Sequence, residues 1–223
     1  MGRDGIAANI ALVRERITAA CEKARRSPDE VTLVAVTKGF GPEAIREAVA
    51  AGITDVGENR VQEARSKRAA LTDVSALTWH LLGHLQTNKV KDALHLFDTI
   101  QSIDSLHLAE AISKRASIPV PVFVEVNVAQ EASKSGSPLE RLSQTLETMK
   151  QMHNLDVRGL MTVAPLAATA DEVRPVFRRL REAAMAAEVH GLSMGMTNDF
   201  EVAIEEGATH IRVGRAIFGE RSQ

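Results

Sequence analysis

The amino-acid sequence predicts an α/β fold, a single (β/α)8 TIM barrel with an extra helix at its N-terminus. Three observations lead there. Eight short apolar runs alternate with amphipathic, helix-patterned segments, and such alternation implies a parallel sheet with right-handed crossovers. The polar residues cluster just past the C-terminal ends of the runs, where barrels of this kind place their chemistry. Finally, a helical pattern precedes the first run, whereas only "FGERSQ" follows the last. The opening helix can therefore take the place around the barrel that a final helix would fill. An open, doubly wound sheet competes for the same alternation.

In chain order, the first helix is read from about Ile6 to Arg26 and stops at "RRSPDE", where Pro28 lacks the donor a helix needs. The strands follow as "VTLVAVT", "DVGEN", "TWHLLGH", "LFDTIQSI", "VPVFVEVNV", "VRGLMTVA", "LSMGMT" and "HIRVGRAI". The uninterrupted apolar character of the first and fifth is that of strands buried on both faces. Between the strands lie "PEAIREAVAAG", "VQEARSKRAAL", "NKVKDAL", "SLHLAEAISKRA", "PLERLSQTLETMKQM", "DEVRPVFRRLREAAMAAEV" and "DFEVAIEEGA". Pro42-Glu43, Ser137-Pro138 and Asn198-Asp199 read as helix starts, and Gly52 and Gly207 as stops. No linker rich in Pro, Gly or Ser interrupts the series, so residues 1–223 are expected to form one domain.

Composition narrows the function classes. At 44% hydrophobic and 25% charged, the chain can bury a substantial core. The net charge of -2, without a basic run, argues against nucleic acid as a partner. No stretch reaches the ~18 apolar residues of a membrane span. The N-terminal residues lack an apolar signal region, so no secretion signal is expected. Cys21 is the sole cysteine, which excludes an internal disulfide and fits a cytoplasmic location.

The first strand raises the functional question. In "VTLVAVTKGF" an apolar run delivers Lys38 at its far end, although lysine is rarely buried. Strand alternation puts Thr32, Val34, Val36 and Lys38 on one face. Lys38 either reaches solvent there or stands at a site. Other strand ends contribute Glu58 and Asn59, then His84, Gln86 and Asn88, then Asn127 and Lys134. The last two strands run into "SMGMTND" and "IRVGRAIFG". There Gly195 and Gly214 permit close backbone approach, Thr197 offers a hydroxyl, and helix N–H groups can face an anion. Met194 and Met196 read as packing residues. His80 and His84 lack a third ligand at metal spacing, so hydrogen-bonding roles and no metal are expected.

An amine beside an anion cradle points to a carbonyl cofactor that bears a phosphate. Burial would lower the lysine pKa and free a neutral nucleophile for a Schiff base. Pyridoxal 5'-phosphate (PLP) meets both demands, with its aldehyde on Lys38 and its phosphate at strands seven and eight. Arg212 can point inward toward the pyridine nitrogen. Because arginine only donates, it would meet an unprotonated nitrogen and weaken the ring as an electron sink.

The motifs "VAVTK", "GENRVQE", "WHLLGHLQTNK", "EVNVAQEASKSG", "RGLMT", "LSMGMTNDFEVAIEEGATHIRVG" and "AIFGER" resemble the pyridoxal-phosphate homeostasis proteins, the YggS/PROSC family, from Val31 to Arg221. The resemblance implies a barrel like the N-terminal domain of alanine racemase (fold type III) with a PLP aldimine on Lys38. It implies that Asn59, Ser193, Thr197, Arg212 and Gly214 line the cofactor pocket. It further implies a monomeric PLP carrier or regulator, acting in vitamin B6, amino-acid and keto-acid balance without marked catalysis, with PLP-dependent apo-enzymes as partners. The chain departs from the family at Gly214-Arg215, where Gly-Thr or Gly-Ser is common. Arg215 either replaces that hydroxyl with a charge-assisted phosphate contact, the preferred reading, or points to solvent while backbone N–H groups bind the phosphate. The rival reading is a PLP-dependent amino-acid racemase. The resemblance to that class calls for a tyrosine as second base, supplied by a further β-domain and a partner subunit, and this sequence has no tyrosine.

Overall fold

The computed structural model describes residues 5–74, 76–129, 135–165 and 169–220. Eight parallel strands close into a barrel in sequence order. They are β1 (Thr32–Val36), β2 (Asp55–Glu58), β3 (Thr78–Leu81), β4 (Thr99–Ile103), β5 (Val120–Glu125), β6 (Leu155–Met161), β7 (Gly191–Ser193) and β8 (His210–Val213). Closure is made by β8 returning to β1, with His210 opposite Thr32 and Arg212 opposite Val34. An open sheet would leave two unpaired edges, and closure removes both.

Around the barrel run α1 (Ile6–Ala24), α2 (Pro42–Ala50), α3 (Val61–Ala70), α4 (Val90–Leu96), α5 (Leu106–Ser113), α6 (Leu142–Lys150), α7 (Ala170–Ala186), α8 (Phe200–Glu205) and α9 (Arg215–Phe218). Strand alternation sorts the side chains. Leu33 and Ala35 pack into the apolar shell beneath the helices, whereas Val34 and Val36 are buried on the other side, toward the barrel axis. Lys38, two residues beyond Val36, continues that inward row.

α1 takes the position around the barrel that the sequence assigns to it. Ile10, Val13, Ile17 and Cys21 recur at helical spacing and are buried. Polar contacts fix the helix on both sides. Arg14 Nη2 donates to the Gly52 carbonyl beyond α2 at 2.7 Å, and Asn9 Nδ2 donates to the Ile217 carbonyl of α9 at 2.9 Å. The helix ends at Ala24 rather than Arg26, because Arg25 adopts a left-handed conformation with φ 55. Arg26 instead turns toward the end of α8 and donates to the carbonyls of Ile204 and Ala208.

Two other boundaries differ from the sequence reading. β8 stops at Val213, and "RAI", read as more strand, winds with Phe218 into the short α9. β3 stops at Leu81, so His80 and His84 do not share a strand face: His80 is buried in the barrel and His84 is exposed at its mouth. Lys134 lies outside the described residues. Among the described residues no helix is long and apolar enough to cross a membrane.

At the opposite end of the barrel from the mouth, the His210 ring meets Phe123 edge-on at 5.0 Å and His80 at 6.2 Å. Burial pulls His210 down to about 4, helped by His80 and opposed by Asp55.

Two outcomes follow from this packing. Ile10→Ala lowers the free energy of unfolding by about 2–5 kcal/mol in a urea melt, while Leu12→Ala on the exposed face of α1 leaves it almost unchanged. His210 takes up a proton more readily unfolded than folded, so stability is complete above pH 6.5 and falls as pH drops toward about 4. His210→Leu makes that acid decline shallower, and an unaltered slope in pH-dependent urea melts contradicts the assignment.

Candidate functional site

A cavity of about 550 Å³ opens at the C-terminal ends of the strands. Lys38 and Phe40 reach it from beyond β1, Asn59 from just after β2, Leu82 from just after β3, and Val163 and Pro165 from beyond β6. Met196 to Asp199 follow β7, and Arg212, Gly214 and Arg215 belong to or follow β8. Apolar walls from Val36, Leu82, Val163 and Met196 suit a flat ring. Lys38, Arg212 and Arg215 supply three cations against the carboxylates of Asp199 and Glu220. The site therefore favours an anionic ligand with an apolar body.

Two glycines shape the anionic end. Gly195 has φ +90, and a Cβ there would lie 2.5 Å from the Ala203 Cβ. This lets the chain turn sharply from β7 into α8. A Cβ on Gly214 would come within 3.2 Å of the Val36 carbonyl, so the β8 turn lies close against β1. Thr197 bridges the two turns, its Oγ1 accepting from the Ala216 N–H at 3.4 Å. Asp199 holds the first turn through the Met196 N–H. Burial pushes the Asp199 carboxyl up, and the Met196 N–H and the Arg212 charge pull it back. Arg215 is exposed at the rim, where Nη2 donates to Asn198 Oδ1 at 3.0 Å.

Arg212 is 5% exposed. Burial draws its guanidinium down to about 10, with Asp199 and Glu125 opposing, so it remains charged at neutral pH. Nη1 donates to Ser193 Oγ at 2.6 Å and Nη2 to the Thr162 carbonyl at 2.8 Å. Two of the five donors are thus anchored to the barrel, while the group as a whole lines the cavity.

Lys38 is half-buried, and its neighbours on both sides are clamped. The Thr37 carbonyl accepts from Lys67 Nζ at 2.7 Å, and the Thr37 hydroxyl donates to Glu58 Oε1 at 2.5 Å. On the other side the Gly39 N–H donates to Glu63 Oε1 at 2.6 Å. Lys67, reaching in from α3, pairs with both Glu58 and Glu63. Burial pushes Glu58 up against the hydrogen bonds from Lys67 and Thr37. The second oxygen of Glu58 is buried with no partner among the described residues.

Six of the seven expected site residues line one cavity: Lys38, Asn59, Thr197, Arg212, Gly214 and Arg215. Ser193 does not line it and sits beneath Arg212 instead. Met196, read as packing, is a wall of the site. Gln86 and Asn88 are exposed on the β3 side. His84 pairs with Asp104 at 2.6 Å, as a hydrogen-bonding role requires. Sequence reasoning missed Gln101 and the Lys67 clamp. A lone glutamine in the apolar run "TIQSI" is a usable signal. Lys67 in "VQEARSKRAAL" has none, because it looks like any solvated helix residue.

Comparison with known proteins identifies the family. The family model for the alanine racemase N-terminal domain matches residues 4–222. The pyridoxal phosphate homeostasis protein of Aquifex aeolicus is 44% identical over 218 residues, covering 94% of this chain and 95% of that protein. This chain belongs to the pyridoxal phosphate homeostasis protein family. PipY of Synechococcus elongatus, solved with PLP bound, has a TM-score of 0.84 at 39% identity, covering 96% of this chain and 100% of that one. Alanine racemase of Clostridium difficile, with a TM-score of 0.73 at 16% identity over 99% of this chain and 58% of that one, shares the fold alone.

The clamp around Lys38 makes a direct prediction. Lys67→Met strands the buried Glu58 charge and lowers stability by about 3–5 kcal/mol in urea unfolding. Adding Glu58→Gln recovers most of that loss. A single variant as stable as the parent shows that the pair is not coupled as described.

Proposed function

We propose that this protein holds PLP in the mouth cavity, with the Lys38 amine in Schiff-base linkage to the aldehyde. In this reading the whole chain, residues 1–223, is one PLP-binding domain. It works as a carrier or regulator in vitamin B6 and amino-acid/keto-acid balance and passes the cofactor to PLP-dependent apo-enzymes. A cytoplasmic monomer suits that task. The observation that carries the reading is that Lys38 and Arg212 line the same cavity as the Gly214 turn and Thr197.

The residues fit the group. The amine meets the aldehyde, the apolar walls take the ring, and Thr197, the Gly214 turn and Arg215 take the phosphate. A side chain at Gly214 would press on the Val36 carbonyl, and its absence opens the turn to close approach. Asn59 borders the ring. PLP, when bound, supplies an electrophilic carbonyl and a ring able to accept electrons. The absence of tyrosine, the second base expected of the racemase, supports the carrier reading, and Arg212 would slow a route without it. Its buried guanidinium stays protonated and can only donate, so it favours an unprotonated ring nitrogen and a weak electron sink. Ser193 serves the site by holding Arg212.

Mixing the protein with PLP is expected to produce a visible absorption band that borohydride bleaches, leaving a mass adduct on Lys38. Lys38→Ala abolishes both. In deuterated water with L-amino acids, the loaded protein shows negligible α-proton exchange while still delivering PLP to an apo-enzyme. A protein that stays colourless refutes the PLP reading, and exchange at enzyme-like rates favours the racemase.

A further inference from the structure

A chain of hydrogen bonds crosses the barrel interior below the cavity. Arg212 Nη1 donates to Ser193 Oγ at 2.6 Å, and Ser193 Oγ donates to Gln101 Oε1 at 2.6 Å. Gln101 Nε2 meets His80 Nδ1 at 2.9 Å, and His80 Nε2 meets Asp55 Oδ1 at 2.8 Å. The five side chains come from β8, β7, β4, β3 and β2. Ser193 and Gln101 are 0% exposed and His80 is 3% exposed, so water does not compete for the middle links.

The direction of this chain is set from both ends. Arginine only donates, so Ser193 accepts from it and keeps its own proton for Gln101. The Asp55 carboxylate only accepts, so His80 carries its hydrogen on Nε2 and offers a bare Nδ1 to the Gln101 amide. Turning any link around leaves a buried polar group unpaired. The other charged groups around the chain respect this order. Asp199 and Glu125 act on Arg212 from the mouth side, and the neutral His210 ring packs beside His80.

We propose that Asp55 and His80 are positioning residues for Arg212, anchoring the guanidinium from the far end of the barrel so that its remaining donors face the ligand. The chain commits one part of the guanidinium to Ser193 and Thr162 and leaves the rest for the cavity. It also consumes the Ser193 proton, so Ser193 has none to give a phosphate. This inference rests on the reading that Arg212 faces the ring nitrogen of PLP, and the test separates the two.

Long-range ¹H–¹⁵N spectra of the protein without PLP are expected to show His80 as the Nε2–H tautomer. An Nδ1–H tautomer or a doubly protonated ring overturns the proposal. In PLP titrations followed by the visible band, Asp55→Leu, which removes the acceptor for His80 Nε2–H, binds roughly tenfold more weakly, the scale of one lost hydrogen bond to a charged group, with a displaced maximum. His80→Leu behaves the same way. His80→Gln, able to accept from Gln101 and donate to Asp55, returns close to native binding. Native affinity and spectrum in a folded Asp55→Leu protein, or a His80→Gln protein as weak as His80→Leu, overturn the proposal. If Asp55→Leu fails to fold, the tautomer and the two His80 variants decide. Arg212→Lys tests the underlying reading: if it leaves affinity and band unchanged, Arg212 does not serve the cofactor, whereas the tautomer still reports on the chain.

Discussion

A guanidinium that cannot shed its proton is buried at the heart of a closed barrel, and much of the interior is organised around that charge. Arg212 is held by Ser193 and the Thr162 carbonyl, with Asp199 and Glu125 supplying nearby negative charge. An unpaired charge at such depth would cost several kcal/mol. The barrel interior is accordingly polar where an ordinary core would be apolar, with Gln101, Ser193, His80 and Glu58 all buried. Closure of β8 onto β1 places Arg212 opposite Val34, on the row that ends in Lys38.

Lys38 is handled differently. No element holds its position alone; instead the peptides on either side are tied down by a buried ion cluster shared between β2 and α3. Fixing the backbone on both sides of Lys38 limits the space its side chain can search. Such preorganisation lowers the entropy lost on binding.

The mouth is also divided. Strands β1, β2, β7 and β8 supply the cationic and glycine-rich half that faces the cavity. Strands β3 to β5 supply the His84–Asp104 pair and Glu125, whose carboxyl is pushed up by burial and by Asp104. The cavity therefore sits off-centre, toward the turns that follow the last two strands, where barrels of this class commonly hold phosphate.

The sequence by itself determined the eight-strand alternation, the inward row ending in Lys38 and the two glycine turns, because these depend on periodicity and on backbone freedom at single residues. Six of the seven expected site residues consequently meet at one cavity. Tertiary structure alone decided who surrounds them. Lys67 is a surface-looking helix residue that becomes 5% exposed only because α3 packs over β2. Ser193 was expected at the cofactor, but the barrel brings Gln101, distant by 92 positions, to accept its hydrogen bond. Where β8 ended was likewise invisible locally, since "RVGRAIF" satisfies a strand until Gly214 turns the chain into α9. Local patterns specify an element's own conformation. Partners across a closed barrel depend on shear and closure, which no short stretch of sequence encodes.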